Sequence, residues 1–288
     1  MIAVEKLSLF NIEHFRKLYN KSQNAYICNK GYFEIYDNQS FILKFVIRKQ
    51  IRLFKRNNEY IGYIWFEYPG YDGESNIYSL YIKDGYEDII TPYILLSLNS
   101  DTFKFDVWDS DKMIKIMNNL QFSPISETKL MKMDSSNIDI YEEIDSSRFR
   151  HFIKKKDEKL RCLIQNSVFD DKDRIPITVK DIYAEEEEEY YLDNFGVFIY
   201  KDSDTIVGYG QVIFNNGQYT IANLGILEAY RGQGFGEELV RYLLWFCNKN
   251  SIKEVNIRVE KNNVKAISLY TKVGFKEYNS LTTWLKVI

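Results

Sequence analysis

From Leu224 to Leu239 an apolar strand runs into a turn with glycines at 232, 234 and 236, and the turn runs into a helix. This element constrains the chain more than any other. Glycine lacks a Cβ, so the backbone can approach a ligand without obstruction. A helix start leaves main-chain N–H groups unpaired and turns the positive end of its dipole toward the loop. Together these features suit a phosphate or pyrophosphate group, and Arg231 adds a fixed charge beside it. Two other phosphate-binding patterns do not fit. A P-loop closes on Gly-Lys-Ser/Thr, whereas this turn closes on Gly236-Glu237-Glu238. A dinucleotide fold places its glycines near the start of a βαβ domain, whereas here they follow an antiparallel-looking meander late in the chain.

The chain also repeats itself. At a constant offset of 153 residues Asp109 falls on Asn262, Met113 on Ala266, Ile114 on Ile267, Phe122 on Phe275 and Met133 on Lys286. A repeat of this kind predicts two copies of one unit, divided near Asp134–Asn137. Domains are therefore expected over residues 1–135 and 136–288.

Alternation and turn residues predict strands at Phe41–Ile47, Ile51–Lys55, Tyr60–Glu67, Ile77–Ile82, Phe103–Trp108 and Thr128–Met133. Asn57-Asn58 and Pro69-Gly70 punctuate them. Helical spacing predicts helices over Asp88–Leu98 and Ser110–Asn119. In the second half strands are expected at Asn194–Tyr200, Thr205–Phe214, Gln218–Ile226, Glu254–Val259 and Thr282–Val287, with a hairpin turn at Asn215-Asn216-Gly217. Helices are expected over Gly234–Asn248 and Asn263–Lys272.

Composition excludes several classes. The 288 residues carry a net charge of −3, without the basic excess of a nucleic-acid-binding chain. Cys28, Cys162 and Cys247 are odd in number and widely spaced, which fits neither a disulfide framework nor a zinc pattern. With only His14 and His151, an imidazole metal site is not expected. No apolar run reaches the roughly 18 residues of a membrane span, and the N-terminus lacks signal-peptide features. A cytoplasmic protein with no metal, nucleic-acid or membrane partner is expected, as a monomer or homodimer.

The run Arg231-Gly232-Gln233-Gly234-Phe235-Gly236 resembles the acetyl-CoA motif of the Gcn5-related N-acetyltransferases, the GNAT family. A second element, from Asn263 through Ala266, Leu269 and Tyr270 to Gly274 and Phe275, is similar to that family's Asn-x-x-Ala-x-x-Leu-Tyr-x-x-x-Gly-Phe signature. The clear resemblance covers about Asn194 to Ile288; the first half is similar only in outline. It implies an α/β (α+β) fold of two tandem GNAT-like domains, each a mixed, mostly antiparallel central sheet flanked by helices. It also implies an acyl-CoA-dependent N-acyltransferase with acetyl-CoA as co-substrate. Leu224 and Ile226 would bond the pantetheine arm and acetyl carbonyl, N–H groups from Gln233 to Glu237 the pyrophosphate, and Asn263 the pantetheine. Tyr270 would protonate the leaving thiolate.

Acetyl transfer from a thioester to an amine also needs an oxyanion donor and a path for the amine's proton. Some family members use a carboxylate on the strand equivalent to Gln218–Ile226, but none stands there. Glu260 and a water positioned by Asn223 are the substitutes. The acidic run Glu185–Glu189, preceding Tyr190 and Tyr191, falls where the family roofs its acceptor, and would attract a cationic amine. Local sequence reads as a helix with these acids toward its start. The first half aligns Lys83–Asp88 with the glycine turn, Met117 with Tyr270 and Ser110 with Asn263, and reads as a degenerate copy. The alternatives are an acetyl-CoA sensor or scaffold without turnover, and a transferase of longer acyl or aminoacyl groups.

Overall fold

The computed structural model describes residues 2–22, 31–69, 73–137, 146–170, 174–215 and 217–288. Cys28, Gly70 and Asn216 lie outside them. In chain order the elements are β1 (Ala3–Lys6), α1 (Ile12–Lys21), α2 (Tyr32–Asp37), α3 (Phe41–Arg48), β2 (Ile51–Arg56), β3 (Glu59–Phe66), β4 (Glu74–Ile82), β5 (Thr102–Trp108), α4 (Asp111–Asn119) and β6 (Ser123–Asp134). There follow β7 (Phe149–His151), α5 (Glu158–Val168), α6 (Val179–Glu186), β8 (Gly196–Tyr200), β9 (Ile206–Asn215), β10 (Gln218–Ile226), α7 (Phe235–Lys249), β11 (Glu254–Glu260), α8 (Val264–Val273) and β12 (Lys276–Val287). No helix among the described residues is long and apolar enough to cross a membrane.

Two compact units result, residues 1–128 with 279–288, and residues 129–278. In unit 1 the strand order is β1-β2-β3-β4-β5-β12, and in unit 2 it is β7-β8-β9-β10-β11-β6. Both sets of strands are mostly antiparallel, and each holds a parallel pair: β4 with β5, and β10 with β11. The duplication read from the sequence is thus present in the topology, strand for strand.

Each unit, however, takes its last strand from the other half of the chain. β12 pairs antiparallel with β5 from Leu281 opposite Trp108 to Val287 opposite Thr102. Asp109 accepts from the Ser280 and Thr282 hydroxyls at 2.6 and 3.1 Å, and Asp106 from Thr283 at 2.7 Å. Trp284 enters the unit 1 core among Phe103, Phe105 and Ile116. In unit 2, Met131 and Met133 of β6 join the core of Tyr270, Val273 and Phe275. The boundary expected at residue 135 follows chain order, whereas the compact units place 129–135 with the second and 279–288 with the first. A repeat cannot reveal such an exchange, because the strands traded occupy equivalent positions in both copies.

Two local expectations change. Phe41–Ile47, expected as a strand, is the helix α3. Its apolar run, broken only by Lys44, is too short to decide between helix and strand by period; Ser40 decides it by accepting the Leu43 N–H at 3.5 Å as N-cap. The helix expected over Asp88–Leu98 is instead two 3₁₀ segments, Glu87–Ile89 and Pro92–Leu98, ended by Asn99 at φ 56°. Proline at the second segment's first position fits its start, and seven residues is already long for 3₁₀ geometry.

Removing residues 279–288 leaves β5 without its antiparallel partner and empties the place of Trp284. Loss of a buried tryptophan alone costs about 3–5 kcal/mol. We expect the truncated chain to melt at lower temperature and to bind an apolar dye; an unchanged thermal transition would show that unit 1 stands without the strand.

Candidate active site

The site lies in unit 2, where β10 parts from β11. Their parallel ladder pairs Thr220 with Asn256 and Ile221 with Ile257. Beyond it β10 bulges between Ala222 and Gly225, and Asn223 takes a left-handed φ of 53°. A bulge re-aims the strand and ends regular pairing. β10 stays attached on its other edge, with Gly225 opposite Tyr209 and Ile226 opposite Gly208. Main-chain groups of Leu224–Ile226 on the β11 side therefore border a gap.

The strand leads into the glycine turn. Gly232 and Gly234 have φ of 77° and 92°, which only glycine adopts cheaply. A Cβ at Gly232 would meet nothing within 4 Å, and one at Gly234 only the Glu238 carboxylate at 3.9 Å. Gly234 caps α7 without a side-chain bond. The Glu238 N–H bonds the Gly234 carbonyl at 3.1 Å, so the N–H groups of Phe235, Gly236 and Glu237 precede the helical ladder. Gly236 serves packing instead: its Cβ would lie 3.1 Å from Leu269 of α8. Phe235 is buried in the core and anchors the first turn.

Charges around the turn are arranged in pairs. Glu237 binds Lys272 at 2.6 Å and Arg241 at 3.0 Å, and the Lys272 ammonium holds its carboxyl below the usual range. Glu238 binds Arg148 at 2.7 Å. Arg231 does more than supply a free charge: its guanidinium donates to the carbonyls of Ile226 and Val168, both at 3.0 Å. It ties the end of β10 to the end of α5, where a Cβ on Gly225 would come within 1.9 Å of Val168.

On the other side of the gap Asn263 caps α8, its Oδ1 accepting the Ala266 N–H at 3.1 Å. Ala266 is half-buried against the core. Tyr270, two turns on, is 8% exposed, and burial pushes its phenol up to about 12. No hydrogen bond among the described residues engages that hydroxyl. Glu260 ends β11 with an exposed side chain, its main-chain carbonyl accepting the Asn263 N–H at 2.9 Å. The turn, the strand end and α8 are thus brought together, while Glu260 makes no side-chain contact with Tyr270 or Asn223 among the described residues.

The acidic run differs most from expectation. Thr178 and Asp181 form a capping box that starts α6 at Val179, so Glu185 and Glu186 stand in the last turn and Glu187–Glu189 beyond it. Acids at a helix C-terminus oppose the dipole. Glu185 is not a solvated charge: it is ion-paired with the fully buried Arg161 and accepts from Gln211 at 2.6 Å. Gln211 in turn accepts from the Tyr209 hydroxyl at 2.8 Å, and Arg161 donates to Gln165 at 3.1 Å. Gln211 is the β9 partner of Ala222, one residue before the bulge. Glu189 is exposed, Tyr190 and Tyr191 are half-buried, and Lys154 lies 4.7 Å over the Tyr191 ring.

Glu186 was not singled out in sequence, yet it carries a buried carboxylate oxygen without a partner among the described residues. Burial, and the nearby Glu158, raise its carboxyl above the usual range. Its Oε1 and the Nη1 of Arg161 are buried with no hydrogen-bond partner among the described residues. The signal available in sequence was Arg161 itself, a cation on the apolar side of an amphipathic helix.

Residues 165–275 match the family described as Acetyltransferase (GNAT) family. The mycothiol acetyltransferase of Corynebacterium glutamicum (strain R) is 33% identical over 88 residues, 30% of this chain and 30% of that protein. The chain matches about 30% of the length of the first curated relatives. A GCN5-related N-acetyltransferase from Sphaerobacter thermophilus superposes with a TM-score of 0.65 at 14% identity, over 99% of this chain and 95% of that one. A tandem GNAT protein from the clavulanic acid biosynthesis pathway gives 0.58 at 10% identity, over 100% and 98%. At these identities the likeness is one of fold, and it extends through both halves of the chain.

A carboxyl raised in the folded state is penalised when ionised. Glu186→Gln is therefore expected to stabilise the protein at neutral pH. The gain should vanish below the ordinary carboxylate range, where Glu186 is protonated folded and unfolded alike. Urea melts at the two pH values measure this, and a variant less stable than the parent at neutral pH would refute it.

Proposed function

We propose, on the premise that residues 165–275 form a domain of the GNAT acetyltransferase family, that this protein moves an acetyl group from acetyl-CoA directly to a primary amine. The observation that carries it is the left-handed pair Gly232 and Gly234, opening space before the unpaired N–H groups of α7 at the exit of a parted strand. Pyrophosphate oxygens suit the N–H groups from Gln233 to Glu237, a backbone donor set aided by the helix dipole. Pairing of Glu237 and Glu238 with Lys272, Arg241 and Arg148 removes the repulsion those acids would otherwise exert. The pantetheine arm then runs along Leu224 and Ile226, with Asn263 and Ala266 on the facing wall.

The chemistry follows from the residues bordering the gap. The amine nitrogen attacks the thioester carbonyl carbon, and an exposed main-chain N–H of the bulged strand stabilises the oxyanion. The C–S bond breaks and the sulfur takes a proton. Tyr270, its pKa pushed up by burial, keeps that proton at neutral pH and is an acid rather than a base. The ammonium form of the acceptor must lose one proton before attack, and the attacking nitrogen loses a second as the amide forms, which replaces the proton that Tyr270 gives to the sulfur. Glu186 fits this role better than Glu260, because a raised carboxyl is a stronger base and its Oε1 has no other partner among the described residues. A water held by Asn223 at the bulge would carry the proton between them. The acceptor is an amine that is cationic in solution, drawn by Glu186 and the exposed Glu189.

The donor assignment is tested by calorimetry. Gly234→Glu places a charged side chain in the cradle at a φ that non-glycine residues resist, and acetyl-CoA affinity is expected to vanish. Unchanged affinity would sink the assignment.

The acid is tested by kinetics. Tyr270→Phe keeps the buried ring and removes the hydroxyl, so kcat is expected to fall by about 10²–10⁴-fold with acetyl-CoA affinity retained. Full turnover with chemistry rate-limiting would assign the proton to water.

A further inference from the structure

Unit 1 carries a cleft of about 680 Å³ that the proposed acetyl transfer does not use. One wall is a face of α1. His14, Lys17 and Lys21 recur at helical spacings of three and four, so they share that face, and all three are exposed. The opposite wall is the tip of the β2–β3 hairpin, Asn57 and Asn58, with Lys83 just past β4. Both asparagines are left-handed, at φ of 48° and 64°, the conformation of a tight two-residue hairpin turn. The His14 ring packs on Tyr60 with centroids 4.7 Å apart.

Charge decides what this cleft suits. Among its lining residues the one carboxylate is Glu59, and it is already satisfied. Lys83 binds it at 2.6 Å and the Tyr86 hydroxyl donates to it at 2.9 Å. The Lys83 bond holds its carboxyl below the usual range. Lys17 and Lys21 form no ion pair among the described residues. Two ammonium groups and an imidazole thus face two amide side chains across a concavity within the roughly 300–1,000 Å³ of small-molecule sites.

The cleft is not a second copy of the cradle. In unit 1 the segment after β4 continues into 3₁₀ turns rather than an α-helix, and its acids are tied down: Asp84 and Glu87 to Lys112, Asp88 to Lys115. In unit 2 the helix equivalent to α1 is drawn onto its sheet by the Val168–Gly225 contact and the Arg231 bonds. α1 is tied to its sheet differently, by the Ser22 hydroxyl at its C-cap, 2.7 Å from the Tyr63 hydroxyl of β3.

We propose that the unit 1 cleft binds a phosphorylated small molecule, its phosphate oxygens held by Lys17 and Lys21, independently of acetyl-CoA. Point charges on flexible stems suit phosphate, and the asparagine amides add donors. ADP and inorganic pyrophosphate are the probes, each titrated calorimetrically into the intact protein saturated with acetyl-CoA, which occupies the proposed donor site. The same titrations into Gly234→Glu give a second background in which that site is destroyed. One-site binding of ADP or pyrophosphate in both backgrounds is expected, weakening as salt rises. In Lys17→Glu/Lys21→Glu it should weaken at least about tenfold, the loss of one charge-assisted hydrogen bond or more. Acetyl-CoA affinity should be unchanged in that variant. No binding of either probe in both backgrounds, binding indifferent to the double variant, or citrate binding as tightly as pyrophosphate would each overturn the proposal.

Discussion

Between β10 and β11 the hydrogen-bonded ladder stops at Ile221 and Ile257, and the candidate site depends on that stop. A main-chain group inside a protein is costly to leave unpaired, so a sheet that opens in its middle needs a reason and a brace. The bulge at Ala222–Gly225, with Asn223 in the left-handed region, supplies the opening. The brace comes from the far edge. Gly208 and Gly225 lie so close that a Cβ on the first would be 2.6 Å from the carbonyl of the second. Arg231 fastens the end of β10 to the end of α5. β10 is therefore fixed on one side and free on the other, which is what a strand must be to hold a ligand with its backbone.

Electrostatics then separates the two sides of the gap. Acids in the first turn of α7 accord with its dipole but would repel a pyrophosphate. Each is matched by a cation from elsewhere in unit 2: Lys272 of α8, Arg241 one turn on, and Arg148 ahead of β7. At the end of α6 the pattern is reversed. Acids stand against the dipole, and Arg161 answers Glu185 but leaves Glu186 raised and with an open oxygen. The acids of the first turn of α7 are thus neutralised, whereas Glu186 keeps a buried oxygen without a partner among the described residues. Buried charge of this kind is costly and does not stabilise a fold by itself, which favours a functional reason for retaining Glu186.

What the sequence disclosed and what it withheld divide along a physical line. The glycine turn was legible because its requirements are local: positive φ at Gly232 and Gly234, and a helix start after them. The duplication was legible because packing faces repeat. α3 was not, because two apolar triplets around Lys44 carry too little period, and its Ser40 cap is a single weak residue. The acids of α6 stand at the opposite end of their helix from the one the sequence suggests, because the capping box at Thr178 starts it at Val179. Arg161 and Gln211 were invisible because their meaning lies in pairing with Glu185 across 24 and 26 residues of chain. The exchange of β6 and β12 was beyond any local pattern, since both strands satisfy both sheets.

The two units allow the contributions of fold and sequence to be told apart. Unit 1 has the same parting: its parallel ladder runs from Glu74 opposite Thr102 only to Ile77 opposite Phe105, while β4 continues to Ile82. The opening is thus a property of the architecture shared by both copies. What unit 2 adds is a fifteen-residue α7 whose first N–H groups face the gap, and glycines that bring the chain to it. Unit 1 has two 3₁₀ segments there, of three and seven residues, the longer beginning with Pro92. Such segments gather little dipole, and proline removes one of the N–H donors. Divergence between the copies therefore lies in the element that follows the fourth strand of each, and the sheet beneath it was free to remain the same.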